Sequence, residues 1–245
     1  MKKVLDVLGA VAERIVVPTC SVVIVAAGSS TRMGGVDKIM ADLSGKPVIL
    51  RSVEAFQKHG AIQEIVVVTR EDLRETIEKL LQDNGMTKVV AVVTGGSTRA
   101  ESVSKGMDCC SKKAGLIAIH DGARPLVTQE IITNTIANAA KTKAAVPGIP
   151  VKDTVRIVKG GVGVDTPDRA TLYAMQTPQI FDADLIRAAT LNAMQKKAAV
   201  TDDCSAVELM GMRVSIVDGA EENLKITTRL DMAIANVLAR KRDAE

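Results

Sequence analysis

Four short runs dominate the first half of the chain: "SVVIVAA" from Ser21 to Ala27, "EIVVVT" ending at Thr69, "KVVAVVT" ending at Thr94 and "GLIAIH" ending at His120. Each is apolar, rich in β-branched residues and too short for a buried helix, which is the pattern of a strand covered on both faces of a parallel sheet. Helical patterns fill the gaps: about Pro47 to His59, Glu71 to about Asp83, and a "GGSTRAESV" turn leading into a helix through Cys110. Parallel neighbours need such crossovers, so the rhythm predicts an α/β fold, a Rossmann-like and mostly parallel sheet with helices on both faces.

In sheets of this kind ligands sit beyond the carboxyl ends of the strands, where the loops gather. The loops Ala26 to Lys38, Gly95 to Ser102 and "HDGARP" from His120 to Pro125 all lie there. The rhythm changes after Pro150. Two β-type runs, Thr154 to Val158 and Thr171 to Gln176, flank a Gly-Gly-Val-Gly turn region and predict a protruding β-hairpin arm. An exposed arm of Val and Ile needs a partner. The α/β pattern then returns, with a helix from Ala183 to about Met194, a short helix from Thr201, a strand "RVSIVDG" and a last helix from about Thr228 to Arg240. No repeat or linker divides the chain, so residues 1–245 are expected to form a single domain, with 1–20 an N-terminal extension.

Composition narrows the function classes. Aromatics make up 1% of the residues, which argues against base-stacking platforms for single-stranded nucleic acid, and a net charge of +3 is too small for a broad footprint on DNA or RNA. The four cysteines (Cys20, Cys109, Cys110, Cys204) have no CxxC spacing and only His59 and His120 as possible co-ligands, the expectation being reduced structural thiols in a cytoplasmic protein. The N-terminal apolar stretch is interrupted by Asp6, Glu13 and Arg14, which fits a short amphipathic helix better than a signal peptide. No window approaches the ~20 apolar residues of a spanning helix, so no membrane role is expected.

"GSSTRMGGVDK" matches neither the dinucleotide glycine fingerprint nor the Walker A loop, yet it has parts suited to polyphosphate. Small residues let backbone N–H groups approach oxygens, Arg32 can fork two phosphate oxygens, and Lys38 is a compact movable charge. A surface turn with solvated cations is the alternative. In "TGGSTRAESV", Ser97 and Thr98 are cap candidates and Glu101 is placed for a capping box; capping alone accounts for the loop, or the Gly96 and Ser97 backbone reads a base edge with Ser102 one turn on. Asp121 either contacts sugar hydroxyls or a divalent cation, or pairs with Arg124 as support. His120 has no Ser, Cys or metal partner in the sequence, and a hydrogen-bonded structural imidazole is the expectation.

"AAGSSTRMGGVDK", "GGSTRAESV", "HDGARP", "VKDTVR", "DRATLYAMQTPQIF", "TDDCSAVE" and "NLKIT" occur in one order and spacing. Together they resemble the 2-C-methyl-D-erythritol 4-phosphate cytidylyltransferases of the non-mevalonate isoprenoid pathway, from about Ser21 to Ala239. The resemblance implies a nucleotide-diphospho-sugar transferase type of fold and transfer of the cytidylyl group from CTP to methylerythritol phosphate. The products would be 4-diphosphocytidyl-2-C-methyl-D-erythritol and pyrophosphate, with Mg2+ held mainly by the triphosphate and no firm protein ligand to the metal. It implies that Arg32, Lys38 and Lys225 stabilise charge at the α-phosphate, that Ala26, Ala27 and Gly28 follow the nucleotide by backbone contact, and that Gly96, Ser97 and Ser102 surround the cytosine. Asp121 and Gly122 would lie near the ribose and acceptor, and Thr177 at the nucleotide end. Thr154 and Arg169 would sit on the arm of about 150–172, which in the family reaches a neighbouring subunit, so that Arg169 clamps the acceptor's phosphate in a homodimer.

Two residues depart from the family pattern. Asp37 stands where many members have proline, and an acid there either weakens the Lys38 charge or points to solvent; Ser97 holds a position that is often acidic. The rival readings are a cytidylyltransferase for another polyol phosphate, such as ribitol 5-phosphate, and a non-catalytic nucleotide-binding paralogue.

Overall fold

The computed structural model describes residues 18–28 and 37–244 of the chain. The expected amphipathic helix ahead of the first strand falls outside the described residues, as does Arg32.

The four apolar runs form the centre of the sheet. They are β1 (Cys20–Val25), β4 (Ile62–Thr69), β5 (Val89–Thr94) and β6 (Leu116–Asp121), with a small β2 (Asp42–Leu43) and β3 (Lys46–Pro47) hairpin between the first two. Strand β1 lies parallel to β4 on one side and to β6 on the other, and β5 lies parallel to β4 at the edge. Chain order thus runs outward from β1 to β5 and then jumps back across β1 to β6. That reversal makes the carboxyl ends of β1 and β6 the topological switch point, where open α/β sheets leave a crevice for ligands.

Beyond β6 the sheet ceases to be purely parallel. Strand β11 (Gln179–Asp182) runs antiparallel between β6 and β7 (Ala144–Pro150), and β12 (Ser215–Asp218) lies parallel to β7. Period-two alternation sends side chains to two cores. Val22 and Ile24 pack with helices α1 (Val48–Gln57), α2 (Arg74–Asp83, preceded by a 3-10 turn) and α4 (Gln129–Thr142). Val23, on the opposite face with Val66 and Val68, packs with α3 (Arg99–Asp108), α5 (Ala183–Gln195) and α6 (Asp203–Glu208). The last helix, α7 (Arg229–Asp243), closes a satellite cluster with Leu43, Leu126 and Ile226. Each Val, Ile or Leu fully buried in these layers contributes about 1.5–3 kcal/mol, so an aliphatic core compensates for the scarcity of aromatics. Burial also pushes the Cys20 and Cys110 thiols up to about 12, which leaves them protonated and inert near neutral pH.

The arm departs from the expected strand partition. Its hairpin is β8 (Ile157–Lys159) against β9 (Val162–Asp165), turning at Gly160 and Gly161, both with positive φ. Its root is closed where the Val151 N–H donates to the Leu172 carbonyl at 3.0 Å. Residues Tyr173–Met175, expected as part of the arm, form β10 instead and pair antiparallel with Gly148–Pro150 of β7. The tight Gly-Gly turn sets a short register, and the unpaired far end of β7 recruits the following residues.

Candidate active site

After β1 the chain enters the switch-point crevice between its neighbours: the Ala26 N–H donates to the Val68 carbonyl at 2.7 Å and the Gly122 N–H to the Val25 carbonyl at 2.9 Å. Opposite them the Gly95–Thr98 loop leads into α3. A side chain on Gly95 would put its Cβ 2.6 Å from Ala27 Cβ, and one on Gly96 would come within 2.3 Å of Glu101 Cβ, so backbone passes where no side chain fits. Thr98 is the N-cap, accepting from the Glu101 N–H at 3.1 Å, while the Glu101 carboxylate reaches back to both the N–H and the hydroxyl of Ser97, each at 2.7 Å. Ser102 ties the same loop, its hydroxyl accepting from the Gly96 N–H at 3.0 Å and donating to the Thr98 carbonyl at 2.9 Å. The bonds that cap α3 also fix the loop that faces the crevice.

The charges are ordered around Asp121, the last residue of β6. Lys225 Nζ sits 3.0 Å from its Oδ2, and Arg124 Nε 3.4 Å away. Burial alone would raise this carboxyl's pKa, but the positive charges of Lys225, Arg99 and Arg124 outweigh it and hold the group down to about 2. Asp121 is therefore ionised throughout the physiological range. Of the readings open to it, the pairing with Arg124 is present, and the same carboxylate also anchors Lys225. Asp37 is held within the protein rather than pointing freely to solvent. Its Oδ1 accepts the Ile39 N–H at 2.9 Å and its Oδ2 pairs with Arg70 at 2.7 Å, so its charge is engaged by the strand-end arginine after β4.

His120 is fully buried. One ring nitrogen lies 3.1 Å from the Arg124 carbonyl and the other 3.0 Å from the Thr177 hydroxyl, with the edge of Phe56 against the ring. Burial lowers its pKa to about 4, so the imidazole is neutral and structural. The Thr177 hydroxyl also accepts the Asp121 N–H at 3.0 Å.

Ala26, Ala27, Gly28, Lys38, Gly96, Ser97, Ser102, Asp121 and Lys225 line one cavity of about 420 Å³. Gly122 and Thr177 stand behind it, bonded to Val25 and Asp121 respectively. Thr154 and Arg169 are on the arm and do not line the cavity; the Arg169 guanidinium donates to the Lys152 carbonyl at 2.9 Å. Arg32 lies outside the described residues.

Arg99 belongs to the site with no sequence signal to mark it. It opens α3, lines the cavity, and donates from Nη2 to Asp203 Oδ2 at 2.6 Å. Asp203 is buried at the start of α6, and burial pushes its carboxyl's pKa up even against the pull of Arg99. Gln179 on β11 locks that corner: its Oε1 accepts the N–H groups of Asp203 at 3.0 Å and Cys204 at 3.2 Å, and its Nε2 donates to Asp202 at 2.8 Å. The segments carrying Arg99 and Asp203 stand out as motifs, but nothing local links positions 104 apart.

Geometrically the cavity offers a glycine-lined wall and three cations (Lys38, Arg99, Lys225), two of which, Arg99 and Lys225, act on the Asp121 carboxylate, an arrangement suited to an anionic, nucleotide-sized ligand. A family model described as 2-C-methyl-D-erythritol 4-phosphate cytidylyltransferase matches residues 20–241. A curated protein of that name from Caldanaerobacter subterraneus subsp. tengcongensis is 43% identical over 224 residues, which span 90% of this chain and 99% of the relative. Another from Bacillus velezensis is 39% identical over 219 residues, 89% of this chain and 94% of its own length. Among solved structures, 4-diphosphocytidyl-2C-methyl-D-erythritol synthase from Anaerococcus prevotii superposes with a TM-score of 0.83 at 30% identity, covering 94% of this chain and 100% of that one. The 2-C-methyl-D-erythritol 4-phosphate cytidylyltransferase of Thermus thermophilus gives a TM-score of 0.72 at 27% identity, covering 91% and 98%.

Proposed function

The chain belongs to the 2-C-methyl-D-erythritol 4-phosphate cytidylyltransferase family, and from that premise we propose how its residues divide the reaction. It is a nucleotidyltransferase: it transfers the cytidylyl group of CTP to 2-C-methyl-D-erythritol 4-phosphate in isoprenoid biosynthesis. Physically, a phosphate oxygen of the acceptor attacks the α-phosphorus of CTP in line, the bond to the β-phosphate oxygen breaks, and pyrophosphate leaves with the electron pair. Such a transfer asks the protein for position and charge rather than for a nucleophile.

The observation that carries the assignment of roles is the convergence of Lys38 and Lys225 on a cavity floored by Ala26–Gly28 and Gly96–Ser97. The backbone of Ala26, Ala27 and Gly28 receives the triphosphate, with Lys38 and Arg32 on the oxygens of the α-phosphate and Lys225 joining them as charge builds there. Gly96, Ser97 and Ser102 surround the cytosine, their N–H and hydroxyl donors spent inside the loop so that its shape and its carbonyl oxygens face the base, a small pocket that excludes purines. Asp121 faces the ribose and the acceptor, with Gly122 holding the strand end and Thr177 fixing Asp121 from behind. Among the described residues Asp121 is the one carboxylate lining the cavity and is already paired with Lys225, so a magnesium ion would take its ligands mostly from phosphate oxygens and water, as that ion prefers. When bound, Mg2+ would neutralise triphosphate charge and favour departure of pyrophosphate.

The test is direct. Purified protein is given CTP, Mg2+ and one acceptor at a time, and pyrophosphate release is followed. Methylerythritol phosphate is expected to be used in clear preference; preference for ribitol 5-phosphate, or CTP binding without turnover on either, would overturn the assignment of the acceptor or of catalysis.

The hairpin β8–β9 is exposed along its whole length, with Ile157, Val158, Val162 and Val164 open to solvent, and a second copy of the chain is the partner that would cover them. Arg169 and Thr154 would then reach the partner's cavity, Arg169 clamping the acceptor phosphate. Arg169→Ala is expected to weaken acceptor use and leave CTP affinity nearly intact, and mixing Arg169→Ala with Lys38→Ala chains should regain part of the lost activity through hybrid sites. Absence of rescue when mixed dimers are shown to form would count against an arm acting across subunits. No helix among the described residues is long and apolar enough to cross a membrane, and the described cysteines are free thiols; a reducing, cytoplasmic setting suits them.

A further inference from the structure

Lys225 reaches the cavity on a segment, Gly219 to Thr227, that is neither helix nor strand. Its ends are pinned by the Gly219 N–H on the Gly148 carbonyl at 2.9 Å and the Ile226 N–H on the Ala123 carbonyl at 2.8 Å. Between those pins the segment depends on Asn223, whose side chain is fully buried. Asn223 Nδ2 donates to Gln176 Oε1 at 3.2 Å and to the Thr177 carbonyl at 3.0 Å, and the Asn223 carbonyl accepts from Arg124 at 2.7 Å. Gln176 in turn donates from Nε2 to the Ala220 carbonyl at 2.7 Å. Because the Thr177 hydroxyl holds the Asp121 N–H and Arg124 pairs with the Asp121 carboxylate, Lys225 and Asp121 are both referenced to Gln176, Thr177 and Arg124.

Asn223 Oδ1, by contrast, has no hydrogen-bond partner. A buried amide left half-satisfied costs stability, and a spacer would be better served by an apolar side chain. What an apolar side chain cannot supply is a pair of N–H donors aimed at two acceptors of the Gln176–Thr177 turn.

We propose that Asn223 is a positioning residue for the transferase reaction, its buried amide fixing the Lys225 segment to the Gln176–Thr177 turn so that Lys225 Nζ and the Asp121 carboxylate keep their mutual geometry. This rests on the reading that Lys225 stabilises charge at the transferring phosphorus. Asn223 touches no substrate; it acts through Lys225. A displacement of about 1 Å at a charge-stabilising group can cost on the order of 100-fold in rate.

The experiment is a double-mutant cycle on turnover with CTP, Mg2+ and methylerythritol phosphate, using Asn223→Ala, Lys225→Ala and the pair, with folding checked by circular dichroism and thermal melts. Asn223→Ala is expected to lower kcat by about 10- to 100-fold with the KM for CTP little changed, and to cause no further fall in the Lys225→Ala background. A merely structural role would lower the melting temperature but would not make the kcat effects non-additive. Wild-type kcat in Asn223→Ala, or losses that multiply fully in the pair, would overturn the proposal while leaving the role of Lys225 standing. Wild-type kcat in Lys225→Ala would overturn that role and the proposal together. If Asn223→Ala does not fold, Asn223→Ser and Gln176→Ala enter the same cycle with the same expected outcomes.

Discussion

Lys225→Ala is expected to lower kcat about 100- to 1,000-fold, the range seen when one preorganised donor is taken from developing charge, with a much smaller change in the KM for CTP. The side chain is 42% exposed and lies 3.0 Å from Asp121, so it is poised rather than locked, a cation free to exchange a protein carboxylate for a phosphate oxygen. Undiminished turnover would remove Lys225 from the mechanism. The same substitution should alter acid stability. With Lys225 present Asp121 titrates at about 2, below its ordinary value, so its contribution is fully present above the unfolded pKa and is lost as pH falls through the folded one. That contribution is about 2 kcal/mol, disappearing between about pH 4 and about pH 2, and should shrink in Lys225→Ala because the largest of the charges opposing burial has gone. Urea unfolding at several pH values measures it.

Arg99→Met should destabilise the fold by about 3–5 kcal/mol at neutral pH, the cost of leaving a buried carboxylate without its partner. Asp203 is the carboxylate in question, its side chain 6% exposed. The pH dependence has the opposite sign to that of Asp121. Burial raises the Asp203 pKa even with Arg99 in place, and removing the guanidinium pushes it higher. The variant's deficit is therefore greatest above the raised pKa and is partly recovered as pH falls and Asp203 takes up a proton. Asp203→Asn in the Arg99→Met background should recover stability at neutral pH. A variant as stable as wild type from acid to mildly alkaline pH would show that the pair contributes little. Since Arg99 also lines the cavity, its loss is expected to raise the KM for CTP.

The central strands are legible in the sequence because β-branched runs of that length, each followed by a glycine loop or a polar turn, have few alternatives, and helices between them force the parallel arrangement. Loop chemistry is legible for the same reason: Gly95 and Gly96 stand where a Cβ would collide with Ala27 or Glu101. What local sequence does not carry is pairing between distant segments. Tyr173–Met175 looks like a hairpin strand but finds its partner at Gly148–Pro150. Asp37, next to Lys38, gives no local sign that Arg70 sits 2.7 Å away. Arg99 looks like an ordinary first-turn residue of a helix until Asp203, 104 residues later in the chain, arrives beside it. In each case the deciding contact is tertiary, and no period or cap signals it.

The antiparallel strand β11, between β6 and β7, has a consequence for how the chain is made. Residues Leu116–Ile119 find their outer neighbour only in Gln179–Asp182, so that flank of the nascent sheet stays unzipped while roughly sixty further residues leave the ribosome. Until then β7, although already synthesised, has no place beside β6 that it will keep. The two flanks of the sheet are thus stitched together late, by a single four-residue seam.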